Sequence, residues 1–135
     1  MLVEEEMDTL RINIITLAYL GDAVYEVYVR KYLIDKGIAK VEDLQKEAIN
    51  YVSAKNQSKI LNYLIDNDML SLEEIDIVKR GRNYKRASHP KNTDIITYKM
   101  STGFEALIGH LYLVNKDRLE ELMNIILGGD YEKNN

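Results

Sequence analysis

One proline in 135 residues, with apolar positions that return at steps of three and four, directs this chain toward helices. Nothing in it requires a strand, and the expected class is an all-α domain. The densest apolar stretch runs from Ile14 to about Leu33, with Tyr19, Tyr25, Tyr28 and Tyr32 interleaved. A helix apolar around most of its circumference is expected to pass through the middle of the fold. Gly37 is its expected stop. Further helices are expected from about Val41 to Tyr51, after an N-cap at Ser53, and after Ser71, which forms a capping box with Glu74. The pattern breaks between Gly81 and Thr93, where Pro90 and a cluster of Asn, Ser and His predict a loop. Periodicity resumes at Ile95, with Asn92, Thr93 or Asp94 as the cap. A last helix from about Lys116 ends at Gly128 and Gly129, and a frayed tail is expected from Tyr131.

The length fits one domain over residues 1–135, with a core from about residue 14 to residue 127. No cysteine is present, which excludes thiolate catalysis, cysteine-ligated zinc and disulfides. The acidic N-terminus does not resemble a signal peptide, and no apolar run approaches the roughly 18 residues of a membrane span. A soluble, cytoplasmic protein with no membrane partner is expected. The formal charge is -4 and the isoelectric point about 5.2. Taken whole, that argues against nucleic-acid binding, for which values above about 9 are usual.

Two helices hold something a plain bundle does not need. Asp22 stands in an apolar stretch between Gly21 and Ala23. Glu105 stands in another, with Gly103, Ala106 and Gly109 near it. An unpaired buried carboxylate costs several kcal/mol. Glycine inside a helix costs about 1 kcal/mol against alanine, so these glycines suggest close helix approach. If the two helices meet, the carboxylates repel each other, and a hard divalent cation resolves the conflict. Mg²⁺ takes one or two carboxylates plus phosphate oxygens while keeping several waters, which is the chemistry of phosphodiester hydrolysis. On spacing alone an alternative stays open, with Asp22 a half-exposed helix residue and Glu105 paired with a Lys or Arg.

The segments Leu20-Gly21-Asp22-Ala23-Val24 and Phe104-Glu105-Ala106-Leu107-Ile108-Gly109 resemble the two catalytic helices of the ribonuclease III family. The resemblance is closer to its minimal branch, the Mini-III ribonucleases, which consist of the catalytic domain alone. Glu26 to Arg30, Val52 to Lys55, Lys79 to Asn83 and Pro90 to Asp94 are similar to that branch as well. The resemblance implies a homodimeric, helical ribonuclease III-type domain with Asp22 and Glu105 as catalytic metal ligands. It also implies Mg²⁺, for which Mn²⁺ substitutes, and cleavage of double-stranded RNA to 5′-phosphate and 3′-hydroxyl ends. The larger ribonuclease III enzymes carry two further acids, at the positions that are Ala18 and Thr102 here. Their absence is a feature of the Mini-III branch, and it leaves open whether water or Thr102 fills those places.

From Lys79 to Lys99 seven basic residues face the single acid Asp94, a local charge of +6 against -10 elsewhere. With the resemblance, Arg80, Arg82, Asn83, Lys85, Arg86, Lys91, Asn92 and Thr93 become the expected contacts to RNA phosphates and 2′-hydroxyls. Lys55 is a candidate neighbour of the metal site. Glu26 reads as an ion-pair residue, His110 as a packed residue, and the tyrosines as core or interface. The apolar face of the Ile14 to Leu33 helix, tyrosines included, is the expected dimer surface. The resemblance implies the base-paired stem flanking precursor 23S, large-subunit ribosomal RNA as substrate, with a large-subunit ribosomal protein as a possible partner. A catalytically silent RNA-binding or ribosome-associated module on the same fold is the alternative, disfavoured by retention of both Asp22 and Glu105.

Overall fold

The computed structural model describes residues 8–85 and 94–134. A 3-10 turn, Thr9–Arg11, precedes seven α-helices: α1 (Ile14–Asp35), α2 (Val41–Val52), α3 (Ala54–Asp66), α4 (Leu72–Arg82), α5 (Ile95–Val114), α6 (Lys116–Ile126) and α7 (Asp130–Lys133). No strand occurs among the described residues, as the helical periodicity predicts. Side-chain caps start most of the longer helices. Asn13 accepts from Ile15 N, Ser53 from Asn56 N and Asp94 from Thr97 N. Ser71 and Glu74 close the predicted capping box. Gly37, at φ +94°, follows the C-cap of α1 in the left-handed region that glycine enters without strain.

The most enclosed helix is α5 rather than α1. From Ser101 to Leu111 every residue of α5 is buried except Glu105, which is half-buried. α1 covers one flank of it, α4 another, and α3 a third. The core between them holds Leu17, Tyr25, Leu33, Ile60, Leu61, Leu64, Phe104, Leu107 and Ile108, all essentially inaccessible. Each such aliphatic or phenyl side chain contributes about 1.5–3 kcal/mol through burial. Tyr25 fits this core because its hydroxyl donates to the Tyr51 carbonyl at 3.0 Å. Its ring meets Phe104 edge to face at 5.0 Å. The expectation that α1 runs through the middle of the fold is corrected: α5 takes that place, and Tyr19, Ala23, Val27, Arg30 and Ile34 of α1 form one outward stripe. The sequence periodicity is blurred because that stripe is itself largely apolar.

Glycines set how closely these helices approach. A Cβ on Gly21 would lie 1.7 Å from the Glu105 carbonyl oxygen, and one on Gly109 would lie 2.0 Å from that of Leu17. On the opposite flank, a Cβ on Gly81 would sit 2.8 Å from the Gly103 Cα. Gly81 therefore belongs to the last turn of α4, not to a loop. Its reading as a breaker fails because the glycine serves contact between helices rather than a turn.

Both ends of the described residues, near Thr9 and near Tyr131, are also packed down. Thr9 Oγ1 lies 2.6 Å from His110 Nδ1, and Glu73 Oε1 is 3.6 Å from His110 Nε2. Arg118 of α6 donates to both oxygens of the buried Glu74, at 2.8 and 3.0 Å, and to the Met69 carbonyl. Burial alone would raise the Glu74 pKa, but the Arg118 and Ser71 hydrogen bonds outweigh it and hold the carboxyl below its ordinary range. The frayed tail is corrected too. Tyr131 is buried and meets Tyr63 edge to face at 5.3 Å, and Tyr32 donates to Glu132 at 2.9 Å. These contacts anchor α7, a gain that polar tail composition does not announce.

Two stability predictions follow from this packing. Gly→Ala in a helix ordinarily stabilises by about 1 kcal/mol. Gly21→Ala and Gly109→Ala should instead destabilise by about 2–4 kcal/mol in urea titration, because a methyl group must force two backbones apart. Burial holds His110 below the usual histidine range, with Glu73 pulling in the opposite direction. The unfolded chain therefore takes up that proton first as pH falls below 6.5, and folding stability should decline there. Glu74, whose folded pKa is depressed, retains its contribution until pH falls below its ordinary 4.5. Thermal melts of wild type and His110→Asn between about pH 7 and pH 5 should differ in slope, with the variant flatter.

Candidate active site

The backbone contact at Gly21 and Gly109 brings the two predicted carboxylates together. Asp22 follows Gly21 on α1, and Glu105 supplies the carbonyl against which Gly21 rests. Both side chains line one open cleft of about 420 Å³ with Ile15, Thr16, Ala18 and Tyr19. The only ionisable acids in that lining are Asp22 and Glu105, oxygen donors of the kind that hold a hard divalent cation. Asp22 is not buried among its apolar neighbours. It is exposed, on the accessible side of α1.

Glu105 is half-buried, and a residue that sequence reasoning missed reaches it. Gln57, on the first turn of α3 and 1% exposed, donates from Nε2 to Glu105 Oε2 at 3.4 Å and to the Val52 carbonyl at 3.2 Å. Gln57 Oε1 is buried with no hydrogen-bond partner, a state that costs about 1–3 kcal/mol. A signal for it existed. Residues 57, 60, 61 and 64 form the inward face of α3, and only the first of them is polar.

The positions where larger relatives carry acids are now placed. Ala18 contributes a methyl group to the cleft. Thr102 is buried, and its hydroxyl donates to the Tyr98 carbonyl at 3.0 Å, outside the cleft lining. Among the described residues no group of three or more His, Cys, Asp or Glu side chains is arranged to hold a metal. The acids that line the cleft are two carboxylates. That suits a hard cation retaining most of its waters and does not suit zinc.

The neighbouring predictions divide. Glu26 pairs with Arg30 at 3.1 Å, and His110 is packed, as expected. Lys55 is exposed and does not line the cleft. Of the basic segment, Arg80 and Arg82 lie on the last turn of α4, Asn83 caps it, and Lys85 is exposed beyond. Arg80 Nη1 is buried without a hydrogen-bond partner, and Arg82 donates to Asn83 at 3.2 Å. Arg86, Lys91, Asn92 and Thr93 lie outside the described residues. Because Gly81 packs on Gly103 and Ala106, this basic turn sits against α5 on the flank opposite α1.

The chain is similar to known proteins in both sequence and fold. Residues 15–116 match the Ribonuclease III domain family. The chain is 46% identical to Mini-ribonuclease 3 of Enterococcus faecalis, over 87% of this chain and 89% of that protein. It is 50% identical to Mini-ribonuclease 3 of Brevibacillus brevis over 82% of each. A crystal structure of a Fusobacterium nucleatum protein superposes with a TM-score of 0.80 at 33% identity, covering 92% of this chain and 99% of that one. A two-carboxylate cleft on closely packed helices, within a chain this similar to those proteins, makes it a member of the ribonuclease III family, of the Mini-ribonuclease 3 branch, and an endoribonuclease.

Proposed function

We propose that this enzyme cleaves double-stranded RNA with Mg²⁺ held by Asp22 and Glu105, with Mn²⁺ an effective substitute. The observation that carries the reading is the cleft itself, whose lining among the described residues brings together two carboxylates from different helices. When bound, the cation supplies neutralisation of phosphate charge and a lowered pKa for coordinated water. The chain supplies the rest. Asp22 offers an accessible carboxylate, Glu105 a partly enclosed one, and Ala18 keeps that wall of the cleft uncharged. Arg82 and Lys85, on and beyond the last turn of α4, are suited to hold RNA phosphates beside α5, together with Arg86, Lys91, Asn92 and Thr93.

Homodimerisation belongs to the same proposal. Tyr19 is 83% exposed, Val27 66% and Ile34 57%, all on the outward stripe of α1. An apolar stripe of this kind is costly to leave in water and fits a second copy of the chain. Tyr19 also lines the cleft, so covering the stripe would place one enzyme's site beside its partner. The family resemblance supplies the remaining terms: the stem of precursor 23S, large-subunit ribosomal RNA as substrate, a large-subunit ribosomal protein to present it, and the cytoplasm as location.

Cleavage of a structured duplex RNA with and without Mg²⁺ tests the site. Asp22→Asn and Glu105→Gln should each cut roughly two to three orders of magnitude more slowly. Asp22→Asn, at an exposed position, should keep its stability within about 0.5 kcal/mol. Equal cutting by the variants would place the chemistry elsewhere, and undiminished cutting in chelator would remove the cation from the reading. The basic segment is tested by salt. Lys85→Ala and Lys91→Ala should each reduce the slope of log affinity against log salt by about 1, with little dependence on RNA sequence.

A further inference from the structure

We propose that Gln57 is a positioning residue for Glu105, selecting the carboxylate orientation that faces the cation. This rests on the reading of Glu105 as a cation ligand. On α3, Gln57 shares its inward face with Ile60, Leu61 and Leu64, each of which has no accessible surface. Packing alone selects an apolar side chain there. An amide at the same place brings a carbonyl oxygen that is buried without a hydrogen-bond partner. Its other end explains its presence. Nε2 faces two acceptors, the Val52 carbonyl at 3.2 Å and Glu105 Oε2 at 3.4 Å. A flipped amide would put oxygen against both, so these two acceptors determine the amide's orientation.

A bond of 3.4 Å contributes little stability. Its effect is directional. Glu105 projects from α5 on a side chain with three rotatable bonds, and an amide donor fixed by Val52 restrains which oxygen is held inward. Groups that orient metal ligands in this way commonly affect metal affinity or activity by 10- to 100-fold. The backbone of Val52 closes α2, and Ser53 caps α3. The junction between those helices is thus tied through one amide to the catalytic helix.

The test uses Gln57→Met, which is apolar and of similar length, and Gln57→Asn, which keeps the amide but is one methylene shorter. Mn²⁺ binding is measured by calorimetry without RNA, melting temperature by circular dichroism, and kcat and KM on a duplex RNA. Gln57→Met should melt at or above wild type because the unpartnered carbonyl is gone. It should bind Mn²⁺ about 10-fold more weakly and lose kcat while keeping KM for RNA. Gln57→Asn should lose Mn²⁺ affinity as well. Wild-type Mn²⁺ affinity and kcat in Gln57→Met would overturn the proposal. So would a Gln57→Asn protein with undiminished affinity beside a Gln57→Met protein that melts far below wild type, since the amide would then serve packing alone. Glu105→Ala separates the two layers of inference. If it binds Mn²⁺ as wild type does, the ligand reading fails; if it loses binding, the Gln57 variants decide this proposal.

Discussion

The approach of α1 to α5 at Gly21 and Gly109 underlies everything else in this molecule. Two helices that carry ordinary side chains at their crossing lie about 8–10 Å apart. Here a Cβ at either glycine would fall far inside van der Waals contact with the facing carbonyl oxygen, so the backbones meet directly. Asp22 is adjacent to one of these contacts, and Glu105 provides the oxygen for it. A short aspartate can share a cleft with a residue on another helix only if the helices come this close. The glycines are thus a structural cost that positions chemistry, which is the usual pattern when a local preference is broken at a functional site.

Charge follows the same division of labour. A net -4 hides a +6 segment and a -10 remainder. The packing of Gly81 on Gly103 brings the start of the basic segment against α5. In the proposed reading, that segment would attract RNA phosphates while the cleft would take a cation, so metal and substrate would be coupled through simple electrostatics. The acidic remainder discourages adhesion of nucleic acid elsewhere on the surface.

Much of this was legible from residue order. The helices and their caps at Ser53 and Ser71 follow from periodicity and capping chemistry, and Asp94 is one of three caps the sequence offers for α5; spacing leaves open whether Asp22 and Glu105 meet, and the family resemblance is what pairs them. Three features were not, each for a physical reason. Gly81 has the composition of a turn, and its helical role depends on Gly103, which is distant in sequence. The tail from Tyr131 looks polar because its anchors, Tyr32 and Tyr63, lie on other helices. α1 reads as the central helix because its outward stripe is nearly as apolar as its inward face, and periodicity does not distinguish a core face from an exposed apolar one. Gln57 was visible as a polar residue at a core position, but its meaning required knowing that α3 meets α5 at Glu105.

The neutral residues around the two acids complete the electrostatic picture. Every further carboxylate in the cleft would add repulsion that the cation-free fold must bear, and burial would magnify it. Ala18 adds no charge, Thr102 turns its hydroxyl to Tyr98, and Gln57 offers a donor rather than a third anion. With two acids, one exposed and one held by a neutral amide, the cleft remains compatible with a stable helical core before any cation arrives. The smaller charge count has a consequence. In the proposed reading, fewer protein ligands would leave more of a hard cation's coordination to water and to phosphate oxygens, so that the substrate itself would help to hold the ion in place.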